Sequence, residues 1–260
     1  MNALKVTTIQ SSLLWESPKE NCKHFENLIA AVTDGSDLVV LPEMFTTGFS
    51  MDSSRLAERH HGTTWQWMVS TSKTHNVAIT GSLIIEDSGN YFNRLYFVTP
   101  NGASHHYDKK HLFRMVNENN FFKAGEKRLI LNYKGWSICP MICYDLRFPV
   151  WSRNTKPKYD LLLYVANWPM PRANAWSALL TARAIENQCY VVGVNRVGED
   201  GNGLPYSGNT AVIDPKGVTL NQAKPQQKIV ETTSLSLDEL NEFRQKFPVG
   251  MDADGFEFVG

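Results

Sequence analysis

Two segments of this chain, 37–45 (DLVVLPEMF) and 160–169 (DLLLYVANWP), open on an aspartate and run straight through apolar residues. A run without polar alternation reads as a strand covered on both faces, the situation of a parallel strand inside an α/β domain. The first closes on Pro42 and Glu43, the second on Asn167 and Trp168. A helix precedes the first segment. Ser17, Pro18 and Glu20 supply an N-cap, a proline at the first helical position and an early acid, and Cys22, Phe25, Leu28, Ile29 and Val32 follow at helical spacing up to about Asp34-Gly35. A longer helix, from about Arg172 to Gln188, follows the second and shows Trp176, Leu179, Leu180, Ala184 and Ile185 on its apolar face.

The remaining elements repeat this plan. A helix is expected from Thr64 to about His75, with Trp65, Trp67, Met68 and Val69 in the core. Strands VAITGSLII, YFNRLYFV and ASHHYDKKHLF come next, joined by turns at Ser88-Gly89-Asn90 and Pro100-Asn101-Gly102. In the second half, strand CYVVGVNRV precedes NTAVID and a Pro215-Lys216-Gly217 turn, the counterpart of the earlier hairpin. Two halves related as a pseudo-repeat would bring strand ends to one central cleft. Ser236 and Glu239 form a capping box for a short C-terminal helix, and the tail from about 246 to 260 has few anchors and suits packing against another subunit.

The chain has 260 residues, 42% hydrophobic and 20% charged, which suits one α/β domain over 1–260. Lys plus Arg and Asp plus Glu are each 26, so no bulk field recruits nucleic acid or an anionic membrane, and a small-molecule partner is expected. Residues 4–9 alternate like a strand rather than forming a charged and then apolar leader, and no run reaches the roughly 18 apolar residues of a membrane span. The expectation is a soluble, cytoplasmic protein. There Cys22, Cys139, Cys143 and Cys189 would be free thiols, and no cysteine–histidine spacing suggests a metal.

The chemistry concentrates in 136–149, WSICPMICYDLRFP. An apolar strand ends at Cys143, and Tyr144 to Arg147 change to turn or helix-start residues. A cysteine on such an elbow is lifted to the mouth of a site, with the following backbone N–H groups aimed at what it attacks. It also reads as a small core hydrophobe. Glu43 is either a base with a raised pKa at a buried strand end or an exposed loop acid. In ASHHYDKKHLF, Tyr107, Lys109 and His111 share one strand face, so Lys109 or Lys110, but not both, can point inward, unless the pair lies on a solvated edge.

Together the Leu41-Pro42-Glu43 strand end, the YxKxHL strand (Tyr107, Lys109, His111, Leu112) and CYDLRFP (143–149) resemble the nitrilase, or carbon-nitrogen hydrolase, superfamily. The similarity runs across the whole chain and is nearest to the omega-amidase branch, which hydrolyses the terminal amide of α-keto acid ω-amides such as 2-oxoglutaramate and 2-oxosuccinamate. The resemblance implies a four-layer α-β-β-α sandwich. It assigns Cys143 as nucleophile, Glu43 as general base, Lys109 as the inward cation and oxyanion donor beside the Tyr144 backbone N–H, and Glu118 as a second glutamate that orients the amide or the attacking water. Glu118 otherwise reads as a solvated loop acid.

Arg147, four residues after Cys143, either grips a substrate carboxylate or forms a structural salt bridge, for instance to Asp145. Trp168 and Phe49 read as pocket walls or core, and His60, His61, His105 and His106 as surface residues without partners. The alternatives are a family member acting on N-carbamoyl compounds, nitriles or aliphatic amides, a catalytically silent scaffold that keeps the fold, and a cysteine protease, which would need a histidine base. No cofactor and no metal is called for, and a homodimer is expected by analogy with the fold.

Overall fold

The computed structural model describes residues 2–31, 35–155 and 158–256. The first half runs β1 (Ala3–Gln10), α1 (Pro18–Ala30), β2 (Leu38–Val40), α2 (Ser53–Leu56), β3 (Glu58–Arg59), α3 (Thr63–His75), β4 (Ala78–Asp87), β5 (Asn90–Val98), β6 (Ser104–Asp108) and α4 (Glu118–Phe121). The second continues through β7 (Leu131–Tyr133), β8 (Trp136–Ile142), α5 (Pro149–Ser152), β9 (Leu161–Ala166), α6 (Ala173–Asn187), β10 (Tyr190–Asn195), β11 (Val197–Glu199), β12 (Pro205–Ser207), β13 (Ala211–Ile213), β14 (Ile229–Ser236) and α7 (Leu237–Lys246).

Among the described residues, one sheet has seven strands in the order β14-β1-β2-β4-β5-β6, with β3 on β4, and a second has five in the order β13-β10-β9-β8-β7. Each holds a parallel centre, β1, β2 and β4 in the first and β8, β9 and β10 in the second. Period-two alternation divides the first sheet's faces. Leu4, Val6, Leu38, Val40, Leu95 and Phe97 share a core with the second sheet, while Ile9, Val39, Leu41, Ile79 and Tyr96 pack under Phe25 and Ile29 of α1 and Met68 of α3. On the far side of the second sheet, α6 seats Trp176, Leu180 and Ala184. Contact there is close enough that a Cβ on Gly193 would lie 2.5 Å from Leu180 and 3.0 Å from Trp176. The layers are therefore α-β-β-α, as the resemblance implied.

Both apolar runs are strands buried along their whole length, β2 and β9. The Ser236 cap also forms, its Oγ accepting from the Glu239 N–H at 3.2 Å. Several expectations need correction. Strand β6 stops at Asp108 because the chain turns inward: the Lys109 N–H still donates to Asn93 O at 3.0 Å, whereas the His111 N–H goes to Asp145 at 3.0 Å. Ile185, expected on the buried face of α6, is 51% exposed, since Trp176, Leu180 and Ala184 take the face toward the sheet, with Leu179 packed at its margin. His60 is not an unpartnered surface residue: its Nδ1 lies 2.7 Å from Tyr96 OH and 3.0 Å from Arg94. Helix α1 is described to Ala30, and Val32, Asp34 and the last four tail positions lie outside the described residues. No helix among the described residues is long and apolar enough to cross a membrane.

Candidate active site

The parallel strands β2, in the first sheet, and β8 and β9, in the second, all lead at their C-terminal ends into the candidate site, where ligands bind in sheets of this kind. Glu43 lies just beyond β2, Cys143 just beyond β8 and Asn167 just beyond β9. Lys109 arrives from the end of β6 and Glu118 from the start of α4.

These side chains meet. Lys109 Nζ is 2.9 Å from Glu43 Oε1 and 3.0 Å from both carboxylate oxygens of Glu118, and all three side chains are fully buried. Lys110 instead points at the Trp151 ring, so the inward lysine is Lys109. Burial opposes the Lys109 charge, but Glu118 and Glu43 outweigh it and hold the ammonium pKa above its ordinary value. Burial raises the Glu118 carboxyl, with Lys109 pulling the other way and Glu43 adding to the rise. A solvated loop acid is thereby ruled out for Glu118. Its other partners are the Phe113 N–H, 2.5 Å from Oε2, and Asn93 Nδ2, 3.5 Å from Oε1.

Two asparagines that the sequence reading did not single out complete the shell. Asn93 Nδ2 donates to Glu43 Oε1 at 2.8 Å, and the Asn167 N–H donates to Glu43 Oε2 at 2.8 Å. Asn167 Nδ2 also holds the Glu43 carbonyl at 2.6 Å. The signal for Asn93 was present in strand YFNRLYFV, where it shares a face with the apolar Leu95 and Phe97.

Cys143 has φ +44°, a left-handed conformation in which a non-glycine residue is strained. Its Sγ donates to the Asn167 carbonyl across 3.9 Å. Burial, and then the negative charge of Glu43, push the thiol well above its ordinary pKa, with Lys109 partly opposing them. The elbow is fixed by Asp145, fully buried, whose carboxylate accepts from the Ile142 N–H at 3.0 Å, Tyr107 OH at 2.8 Å and the His111 N–H at 3.0 Å. Sequence reading weighed Asp145 only as a partner for Arg147, and that pairing does not form. Its place two residues past the cysteine, at the third position of a tight turn, was the available signal. His111 turns to Asp145 and stacks on Phe148 at 3.8 Å, so this histidine does not serve the sulfur.

Cys143 opens on a cavity of about 550 Å³, also lined by Phe49, Lys109, Tyr144, Arg147 and Trp168. Every residue expected at the site therefore reaches it, except Glu118, which stands behind Lys109, and Glu43, which stands behind Asn167 and Lys109. Lys109 Nζ lies 4.9 Å from the Phe49 ring centroid and the Arg147 guanidinium 5.1 Å from that of Trp168. Among the described residues no cluster of His, Cys, Asp and Glu could hold a metal ion.

The carbon-nitrogen hydrolase family model matches residues 5–245. The chain belongs to the carbon-nitrogen hydrolase family. Among similar members, omega-amidase YafV of Escherichia coli K12 is 47% identical over 98% of this chain and 99% of its own. The 2-oxoglutaramate amidase of Bacillus subtilis is 33% identical over 94% of this chain and 95% of its own. A CN-hydrolase superfamily protein of Xanthomonas campestris, solved with an arsenic adduct in its active site, is 44% identical, covers 100% of both chains and superposes with a TM-score of 0.96. Family membership together with the amidase relatives makes the chain a carbon–nitrogen hydrolase acting on linear amides.

Proposed function

We propose that the protein hydrolyses the terminal amide of short α-keto acid ω-amides, of the 2-oxoglutaramate or 2-oxosuccinamate type, to the keto acid and ammonia. The observation that carries this reading is the buried Glu43–Lys109–Glu118 cluster set against Cys143 at the cavity floor, in a chain similar along its length to an omega-amidase and a 2-oxoglutaramate amidase.

Cys143 Sγ attacks the amide carbonyl while its proton passes to Glu43. The thiol's raised pKa means that little free thiolate exists beforehand, so deprotonation accompanies attack. Collapse of the tetrahedral intermediate breaks the C–N bond, and Glu43 returns the proton to the departing nitrogen as ammonia forms. Water then attacks the thioester carbonyl with Glu43 again taking a proton, and cleavage of the C–S bond releases the acid and regenerates the thiol.

Lys109 stabilises the oxyanion together with the Tyr144 backbone N–H. An ammonium carries three N–H bonds. Glu43 takes one and a single bifurcated bond can serve both oxygens of Glu118, which leaves one for the substrate. Glu118 positions that cation, and Arg147 binds the substrate carboxylate.

Two further parts of the reading are a cytoplasmic setting and a homodimer. Four unpaired cysteines suit a reducing compartment. Exposed Val150, Ile185 and Phe247 lie on neighbouring segments and suit an apolar subunit contact that the tail from 246 would join. Light scattering on the purified protein distinguishes dimer from monomer.

Ammonia release from 2-oxoglutaramate tests the chemistry. It is expected to vanish in Cys143→Ala and to fall about 10²- to 10⁴-fold in Glu43→Gln. Alkylation of Cys143 in Glu43→Gln is expected to shift to lower pH, since a charge that raises the thiol pKa is gone. Folded wild-type protein releasing no ammonia from any short amide would defeat the reading.

A further inference from the structure

Three acids and two arginines line the cavity that Cys143 opens on, and only the acids are already satisfied. Glu16 accepts from Ser50 Oγ at 2.6 Å and pairs with Arg55. Asp52 accepts from Arg55 Nε at 2.6 Å. Asp200 accepts from Tyr206 OH at 3.0 Å and from the N–H groups of Asn202 and Leu204 at 2.9 and 3.0 Å.

Arg147 and Arg172 make no ion pair among the described residues. Each guanidinium lies over an aromatic ring instead, Arg147 at 5.1 Å from the Trp168 centroid and Arg172 at 5.3 Å from that of Phe113. Trp168 joins the two: its ring carries Arg147, and its Nε1–H donates to the Arg172 carbonyl at 2.8 Å. Two cations with unspent donors, held by rings rather than by carboxylates, face a space in which the described residues place no free anion.

We infer that Arg172 is the second cation of a two-arginine seat for the 2-oxo acid end of the substrate, shared with Arg147. The inference rests on the amidase reading above and adds to it the residue that selects the acid head. An α-keto acid presents a carboxylate and an adjacent keto oxygen. One guanidinium takes the carboxylate through two parallel N–H bonds, which occupies its fork, and the keto oxygen needs donors from another side. Stacking on Phe113 keeps the Arg172 fork ordered before substrate arrives, so little freedom is lost on binding. Because Glu16, Asp52 and Asp200 are engaged elsewhere, they do not neutralise either arginine.

The test is steady-state kinetics on three amides: 2-oxoglutaramate, glutaramate, which lacks the keto oxygen, and butyramide, which lacks both the keto oxygen and the carboxylate. Arg172→Met keeps an aliphatic stem over Phe113 without donors. It is expected to raise KM for 2-oxoglutaramate about 10- to 100-fold, with a smaller rise for glutaramate. In the same variant kcat stays within about threefold and kcat/KM for butyramide is unchanged. Arg172→Lys restores part of the loss, and it carries the same comparison if the methionine variant does not fold. Equal losses on all three amides, or an unchanged KM for 2-oxoglutaramate in a wild type that prefers that substrate, would overturn the inference alone. A wild type that turns over butyramide better than 2-oxoglutaramate overturns the amidase reading and this inference with it.

Discussion

Lys109 Nζ lies 2.9 Å from Glu43 Oε1, a contact between residues 66 positions apart in which neither side chain touches solvent. One ammonium faces two buried carboxylates, because Glu118 approaches it at 3.0 Å as well. An isolated charge in such a place is costly, and the cluster persists because each member offsets the desolvation of the others.

Lys109→Met removes the only cation of this cluster and leaves two carboxylates facing each other. Breaking a buried pair in this way costs about 3–5 kcal/mol, so thermal unfolding should fall by many degrees while amide hydrolysis is lost. A variant that keeps the wild-type melting temperature would show that the cluster's charges are not those described.

The pH dependence of stability carries the mark of Glu118. Its folded-state pKa is raised, chiefly by burial, above that of an unfolded glutamate. At pH values between the unfolded and folded pKa, the folded chain therefore holds a proton that the unfolded chain has released. Its contribution to stability is complete below the unfolded value of about 4.3 and is lost as pH rises through the folded value. Urea unfolding of wild type and Glu118→Gln between pH 4 and 8 should show a wild-type decline that the glutamine variant lacks. Parallel profiles would contradict this.

Cys143 trades stability for position. At φ +44° an alanine inherits the strain and a glycine does not. Cys143→Gly should match or exceed Cys143→Ala by up to about 1 kcal/mol in chemical denaturation, although both are inactive. A glycine variant clearly weaker than the alanine one would mean that the elbow is not strained.

Asp145 holds the elbow from behind. Replacing it with alanine removes the acceptor, within 3.0 Å, of the Ile142 and His111 N–H groups and of the Tyr107 O–H, which keeps only the bond it accepts from Trp151 Nε1 and a longer one from the Lys110 N–H. The expected cost is about 2–5 kcal/mol, with a fall in kcat as the sulfur loses its aim. Unchanged kcat in a folded Asp145→Ala protein would separate the elbow from the chemistry.

Local pattern determined much of this protein. Uninterrupted apolar runs identified β2 and β9, a capping box placed α7, and the change from apolar strand to polar turn put Cys143 on an elbow, because these features depend on neighbours along the chain. Three separated motifs also carried the family resemblance and with it the expected positions of Glu43, Lys109 and Glu118. What tertiary structure decided is which partner each polar group finds. Asp145 turns to Tyr107 and His111 rather than to Arg147, Asn93 and Asn167 clamp Glu43, and Arg172 joins the cavity wall. A buried donor or acceptor must be satisfied by whatever the folded sheets bring within about 3 Å, and sequence spacing holds no record of that distance.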